Sequence, residues 1–315
     1  CIIAVSKARR EFMNYNYTTV DWLLFFYIYC FIGWCIESSY VSIHKKKFVN
    51  RGFMRGPFLP LYGSGAVLML YVTIPVRNSL ILTFAAGAVA ASILEYITGV
   101  CMESLFKVRY WDYSNKPLNF QGHICLGTSL AWGFLTIVLV DFIHEPIEHF
   151  VLALNVTLAA VIAVILTVVI AGDMALSFKA ALDLRDIMER MTRAKEELQK
   201  VQTRLDAIAA FSTPSFAERG KETAGELLQS IREKLDELTQ SEGLRTTYEQ
   251  FQEEIERLKE KFIIEREHQG VVRNRLGFYK KQMLKGHPSA TSRAFKDALE
   301  ELKTIAEEKK SGKKN

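Results

Sequence analysis

Glu37, Glu95 and Glu103 stand inside or at the ends of apolar stretches long enough to span a membrane. An ionisable group in a spanning helix costs about 2.5–3.5 kcal/mol on insertion scales, so a carboxylate kept there points to a functional site. Two polar, aromatic and glycine-rich segments flank the three: Asn50-Arg51-Gly52-Phe53-Met54-Arg55-Gly56-Pro57 and Tyr110-Trp111-Asp112-Tyr113-Ser114. Two chemistries fit these residue types. The guanidinium groups of Arg51 and Arg55 can pair with an anion while Glu95 serves as a deep carboxylate and Trp111 and Asp112 form an entrance. Alternatively, Glu37 or Glu103 can act as a general base or metal ligand beside the arginines.

The elements that must hold these groups are membrane helices. Residues 1–177 carry 22 Asp, Glu, Lys and Arg side chains and residues 178–315 carry 53, so a boundary near Phe178 divides an apolar domain from a charged one. A hydrocarbon core of about 30 Å takes about 20 apolar residues per helix. Five spans are predicted, over residues 20–40, 59–76, 79–106, 124–143 and 151–177. The second is bounded by Pro60 and Pro75 near the minimum length and also fits a buried or re-entrant helix. The expected fold is all-α: a polytopic helical membrane bundle, 1–177, followed by a helical and coiled-coil region, 178–315. Residues 1–17 contain no apolar core of a signal peptide.

Lys and Arg are retained on the cytoplasmic side. The first loop holds Lys45, Lys46, Lys47, Arg51 and Arg55 and the third holds Lys107, Arg109 and Lys116, whereas the second holds only Arg77 and the fourth none. Loops one and three are therefore expected inside, with the C-terminal region cytoplasmic and the protein multi-pass in the plasma membrane. Lys7, Arg9 and Arg10 oppose this, outnumbered. In that orientation Glu37 and Glu103 lie near the cytoplasmic mouth. Glu95 lies about 12 Å deeper, two turns and about 80° from Glu103 on one broad helix face. Glu37 or Glu103 can simply pair with Arg51, Arg55 or Lys47. Glu95 has no basic residue in any span to meet, so it must be protonated, reached by a loop arginine, or face water or substrate.

Other signals are blander. Cys30, Cys35, Cys101 and Cys125 are expected as buried thiols, and His123 with Cys125 makes only an HxC, so no metal site and no cofactor is expected. The run Ala85 to Ser92 suits close helix packing. Trp34, Trp111, Tyr113 and Trp132 suit interfacial anchors, with a site role open for Trp111. The glycines of the first loop lack a P-loop pattern.

In the charged half, Leu184, Ile187, Met191, Ala194, Leu198, Val201, Leu205 and Ile208 keep an a/d spacing with no break from the fifth span, so one helix is expected to leave the membrane as a coiled-coil seam. A second pattern runs from Leu228 to Leu238 and, shifted, from Tyr248 to Phe262. The seam pairs either with that helix or with another subunit, giving a homo-oligomer or a partner complex. Residues 268–296 gather Arg273, Arg275, Lys280, Lys281, Lys285, Arg293 and Lys296 around apolar residues, which points to the bilayer and its anionic lipids rather than to nucleic acid.

The runs Gly33-Trp34-Cys35-Ile36-Glu37, Asn50-Arg51-Gly52-Phe53, Gly56-Pro57, Pro60-Leu61-Tyr62-Gly63, Glu95-Tyr96 with Gly99 and Glu103, and Trp111-Asp112-Tyr113-Ser114 through Trp132-Gly133 together resemble the CmpB-type "putative ABC transporter type IV" membrane family. The resemblance covers about residues 20–140, with a fainter echo at Ala298-Leu299-Glu300-Glu301-Leu302. It implies a permease, although the chain has no ATP-binding motif, and it carries over no catalytic residues. The leading expectation is a permease-like protein binding a small solute or lipid headgroup at a cytoplasm-facing polar vestibule. The ligand-binding residues would be Glu37, Arg51, Arg55, Glu95, Glu103, Trp111 and Asp112. An intramembrane enzyme acting on a lipid-linked substrate and a non-catalytic assembly protein are the rivals.

Overall fold

Thr18 and Asp21 start the first helix by satisfying each other's backbone donors: Asp21 Oδ2 accepts from the Thr18 N–H at 2.8 Å and Thr18 Oγ1 accepts from the Asp21 N–H at 3.3 Å. The computed structural model describes residues 17–210 and 277–307. Helix α1 spans Thr19–Lys45 and ends where Lys46 turns left-handed. Helix α2, Pro60–Thr73, opens on a proline whose missing N–H costs nothing in a first turn. Helix α3, Leu80–Phe106, is capped by Ser79 and closed by a left-handed Lys107. A two-residue antiparallel hairpin, β1 Asn119–Phe120 and β2 Ile124–Cys125, precedes α4, Leu126–Val138. A π-helical turn over Leu139–Ile143 joins α4 to α5, His144–Leu152, and α6 runs over Val156–Ala210. Helices α7, Phe278–Gly286, and α8, Lys296–Glu307, complete the described chain.

Among the described residues, four helices are long and apolar enough to cross a membrane: Thr19–Lys45, Leu80–Phe106, Leu126–Leu152 and Val156–Glu197. The second apolar segment, Pro60–Val76, is a shorter helix held between its two prolines. The fourth runs past its predicted end at residue 143 because the chain continues through the π turn. That wider turn sits just before Pro146, which has no N–H to give and whose ring a regular turn would crowd. Large apolar side chains such as Ile81, Val89, Ile93, Val164 and Val168 face outward, the arrangement that suits hydrocarbon.

Among the described residues, one compact unit holds 17–185, 278–296 and 302–307, and the second holds 186–210, 277 and 297–301. The core of the first packs Leu24, Phe25 and Tyr29 of α1 against Met69 and Leu70 of α2, Val140, Val151 of α5, and Ala159 and Ala163 of α6. Small alanines let α6 approach α1, and Tyr27 Oη meets Thr167 Oγ1 at 2.6 Å. Helices α3 and α4 run side by side, with Gly87 so close to Thr136 that any Cβ would strike its side chain. In the second unit, α6 buries Met188, and Lys195 pairs with Asp297 at 2.6 Å.

Helix α6 runs without a break from Val156 to Ala210, as expected of one helix continuing past the last apolar segment. Buried positions in it include Ala181, Leu184 and Met188, of which Met188 is one residue off the predicted a/d row. The second heptad pattern, 228–262, lies outside the described residues, as does the basic stretch before residue 277.

A buried polar cluster stitches α1 to α5. Tyr17 donates to Glu148 Oε1 at 2.7 Å and also sits 3.0 Å from His144 Nε2, while Tyr29 Oη lies 2.8 Å from His144 Nδ1. The single Tyr17 proton goes to Glu148, so His144 Nε2 must donate to Tyr17 and Nδ1 must accept from Tyr29. Nothing in the local sequence announced this, since the partners are more than a hundred residues apart.

Candidate functional site

Asn50 organises the first loop. Its Oδ1 accepts from Trp34 Nε1 at 2.8 Å and from the Gly52 N–H at 3.0 Å, and its Nδ2 donates to the Arg55 carbonyl at 2.9 Å. Asp173 of α6 accepts from the Gly56 N–H at 2.8 Å, which ties the loop to the last span. Phe53 then packs among Phe106, Tyr110 and Phe178. The loop is thus a built wall, and Trp34 belongs to it through its hydrogen bond to Asn50.

The third loop is built around Arg109, whose side chain is only 2% exposed. Its Nε lies 2.8 Å from Glu103 Oε1 and its guanidinium 3.6 Å from Asp112 Oδ1. The Nε contact is off the N–H axis, so charge rather than an aligned hydrogen bond holds it. The neighbouring Glu103 carboxylate keeps the Arg109 guanidinium above its ordinary pKa; burial works against this, and Asp112 reinforces it. Burial pushes the Asp112 carboxyl up, but hydrogen bonds from Ser114 and Thr291 and the charge of Arg109 carry it below its ordinary value. His123 Nε2 reaches Glu103 Oε2 at 3.1 Å, and burial together with Arg109 lowers the His123 pKa. Gly122, at φ +78°, closes the turn of the hairpin against the Arg109 guanidinium, where a side chain would have neither the backbone nor the space.

Between these loops lies a cavity of about 620 Å³, within the range of about 300–1,000 Å³ usual for ligand pockets. Its polar end has two parts. Glu37 Oε1 accepts from Tyr62 Oη at 2.6 Å and Glu37 Oε2 lies 3.7 Å from Arg51 Nε. Glu95 accepts at both oxygens, from Trp132 Nε1 at 2.9 Å and from Tyr113 Oη at 3.2 Å. The Tyr62 and Trp132 rings, 5.7 Å apart, join the two parts. Burial, and then the nearby Glu95 carboxylate, raise the Tyr113 phenol above its usual range, which keeps it a donor. The rest of the wall is largely apolar and includes Leu59, Leu61, Ile97, Met102, Leu105, Leu135 and Met174. Ile97 and Leu105 are 53% and 45% exposed, so the cavity wall reaches the outer, apolar face of α3.

Of the residues singled out from sequence, Glu37, Arg51, Glu95 and Trp111 line this cavity. Glu103, Arg55 and Asp112 do not. Glu103 turns to Arg109 and His123, neither of which was among its expected partners. Arg55 stacks its guanidinium on the Tyr279 ring, and Asp112 is taken up by Arg109, Ser114 and Thr291. Of the three glutamates, two therefore line the chamber and Glu103 belongs to a neighbouring charge cluster. Glu95 meets two neutral donors, Trp132 and Tyr113, which the sequence does not foretell. Tyr62, Tyr113, Trp132 and His287 are lining residues the sequence reading did not select. Interfacial anchoring is the usual role of such rings, and only the crossing of α3 and α4 turns Trp132 inward.

The segment from α7 to Ser292 packs onto both loops. Arg51 donates to the Gly286 carbonyl at 3.1 Å, Arg109 and Thr291 exchange backbone hydrogen bonds at 2.7 and 3.0 Å, and Ser292 Oγ donates to the Lys107 carbonyl at 2.6 Å. Lys280, one of its basic residues, pairs with Asp183 at 3.0 Å. His287 lines the cavity; its Nδ1 lies 3.0 Å from the Met283 carbonyl and must carry the proton, and burial, aided by Arg51, takes its pKa down to about 3. Among the described residues no group of three or more His, Cys, Asp and Glu side chains is placed to hold a metal ion.

Residues 24–178 match the model of a family described as "Putative ABC-transporter type IV", the family that the sequence pattern resembles. The matched region runs from α1 into α6 and contains every chamber-lining residue except His287. Together with four helices of membrane-crossing length, the match fits a transport-type membrane protein. Neither the curated proteins nor the solved structures contain a match to the chain.

Proposed function

We propose that this chain is a permease-like membrane protein that takes a small solute or a lipid headgroup into the chamber between its first and third loops. One observation carries the reading: a cavity of about 620 Å³ with a polar end at Glu37, Arg51 and Glu95 and an apolar remainder that reaches the exposed face of α3. Such a wall accepts hydrocarbon without cost, while the polar end supplies the few directed contacts that orient a ligand. The lysine and arginine excess of the first and third loops supports a cytoplasmic side for the polar end.

Native mass spectrometry of the purified full chain tests this. The parent protein is expected to release a bound molecule, and Glu95→Gln is expected to cut its occupancy several-fold while the protein's melting transition is retained. A parent that carries nothing, or equal occupancy in the variant, overturns the reading.

A further inference from the structure

We propose that the chamber selects a ligand bearing an ammonium group, with Glu95 as counter-ion and the rings of Trp132, Tyr113, Tyr62 and Trp111 around it; this rests on the chamber being a ligand site. The first support is hydrogen-bond geometry. Both Glu95 oxygens act as acceptors, Oε2 from Trp132 Nε1 at 2.9 Å and Oε1 from Tyr113 Oη at 3.2 Å. Two donors on two oxygens favour the ionised carboxylate, and both donors here are neutral. Glu95 is 4% exposed, so solvent contributes little to balancing its charge.

The second support is the charge balance of the lining. The chamber's charged side chains are Glu37, Glu95 and Arg51, and Arg51 lies 3.7 Å from Glu37. Arg109, the buried basic group of the third loop, is engaged by Glu103 and Asp112. One carboxylate therefore remains without a cation among the described residues. A ligand that brings a positive charge compensates it, whereas an anion would meet two carboxylates against one guanidinium.

The third support is the ring wall. Trp111 spends its indole N–H on the His123 carbonyl at 3.0 Å, and Trp132 spends its own on Glu95. With those donors occupied, the two indoles line the chamber with ring carbon rather than with a free N–H. Tyr62 lies beside Trp132 and gives its hydroxyl proton to Glu37. Ring faces beside a carboxylate attract alkylated ammonium groups and offer nothing comparable to a sulfonate or phosphate.

The test measures equilibrium binding to the full chain in uncharged maltoside micelles. The probes are a single-chain alkyltrimethylammonium, an alkylsulfonate of equal chain length and free tetramethylammonium, all below their micellar concentrations. The alkyltrimethylammonium is expected to bind about tenfold or more tightly than the sulfonate. Glu95→Gln is expected to erase that preference, and Trp132→Phe, which keeps an aromatic ring, to reduce it several-fold. Saturable tetramethylammonium binding as tight as that of the amphiphile would support a free cationic solute; weaker binding would support a lipid-like ligand. Equal affinity for the two amphiphiles overturns the ammonium assignment and leaves the chamber reading standing. No saturable binding of any probe overturns both.

Discussion

Trp132 of α4 and Glu95 of α3 are 37 residues apart in sequence and meet through an indole-to-carboxylate hydrogen bond of 2.9 Å. The contact belongs to a row along the two antiparallel helices. Gly87 faces Thr136, Ser92 Oγ donates to Ser129 Oγ at 2.7 Å, Glu95 takes Trp132, and Gly99 lies against His123 and Trp111. Small residues bring the backbones together, and that approach allows a carboxylate to be met by donors instead of by water. The placement of Glu95 therefore depends on helix packing as much as on its own identity.

Gly87→Leu should separate α3 from α4, because Thr136 occupies the space a side chain would need. Overpacking of this kind costs about 1–3 kcal/mol. A lowered melting temperature in detergent is expected, with Gly87→Ala less damaging than Gly87→Leu. A leucine variant as stable as the parent would show that the close approach is not required.

Arg109→Met should destabilise the third loop by leaving Glu103 and Asp112 without their shared cation. Removing one partner of a buried pair costs about 3–5 kcal/mol; here about 2–3 kcal/mol is expected, because both carboxylates keep 23% side-chain exposure. Adding Glu103→Gln to Arg109→Met should restore part of the loss. Thermal unfolding of both variants checks this, and a double variant less stable than Arg109→Met would contradict it.

His287 should make stability pH-dependent. In the folded protein its imidazole stays neutral down to about pH 3, while in the unfolded chain it takes a proton near 6.5. Between those values the unfolded state holds the extra proton, so stability is complete above about 6.5 and falls as the pH falls. Its share of the slope is at most about 1.4 kcal/mol per pH unit, and His123, also held low, adds in the same direction. Asp112, held below its ordinary 3.8, adds its own loss only at still lower pH. Unfolding measured from pH 7 to 4 should show the slope in the parent and a flatter profile in His287→Phe; equal slopes would exclude His287 as the source.

Much of the site was legible before the fold. Glu37, Arg51, Glu95 and Trp111 stood out because a membrane makes charge costly and because polar loops interrupt apolar runs, and all four line the chamber. Glu103 and Asp112 stood out on the same grounds yet belong to the Arg109 cluster, since cost alone does not say which neighbour compensates a charge. Tyr62, Trp132 and His287 gave no local sign. Their role arises from where α2, α4 and the segment after α7 cross the first and third helices.

Sequence alone determined the helices and their apolar character, because periodicity, caps and residue hydrophobicity are local properties of the chain. It also identified the carboxylates worth examining. Only the tertiary structure decided which of them share a cavity, which donors meet Glu95, and that the segment over residues 278–292 packs on both loops. Those outcomes depend on the register at which distant helices meet, where a displacement of one turn would replace every hydrogen-bond partner.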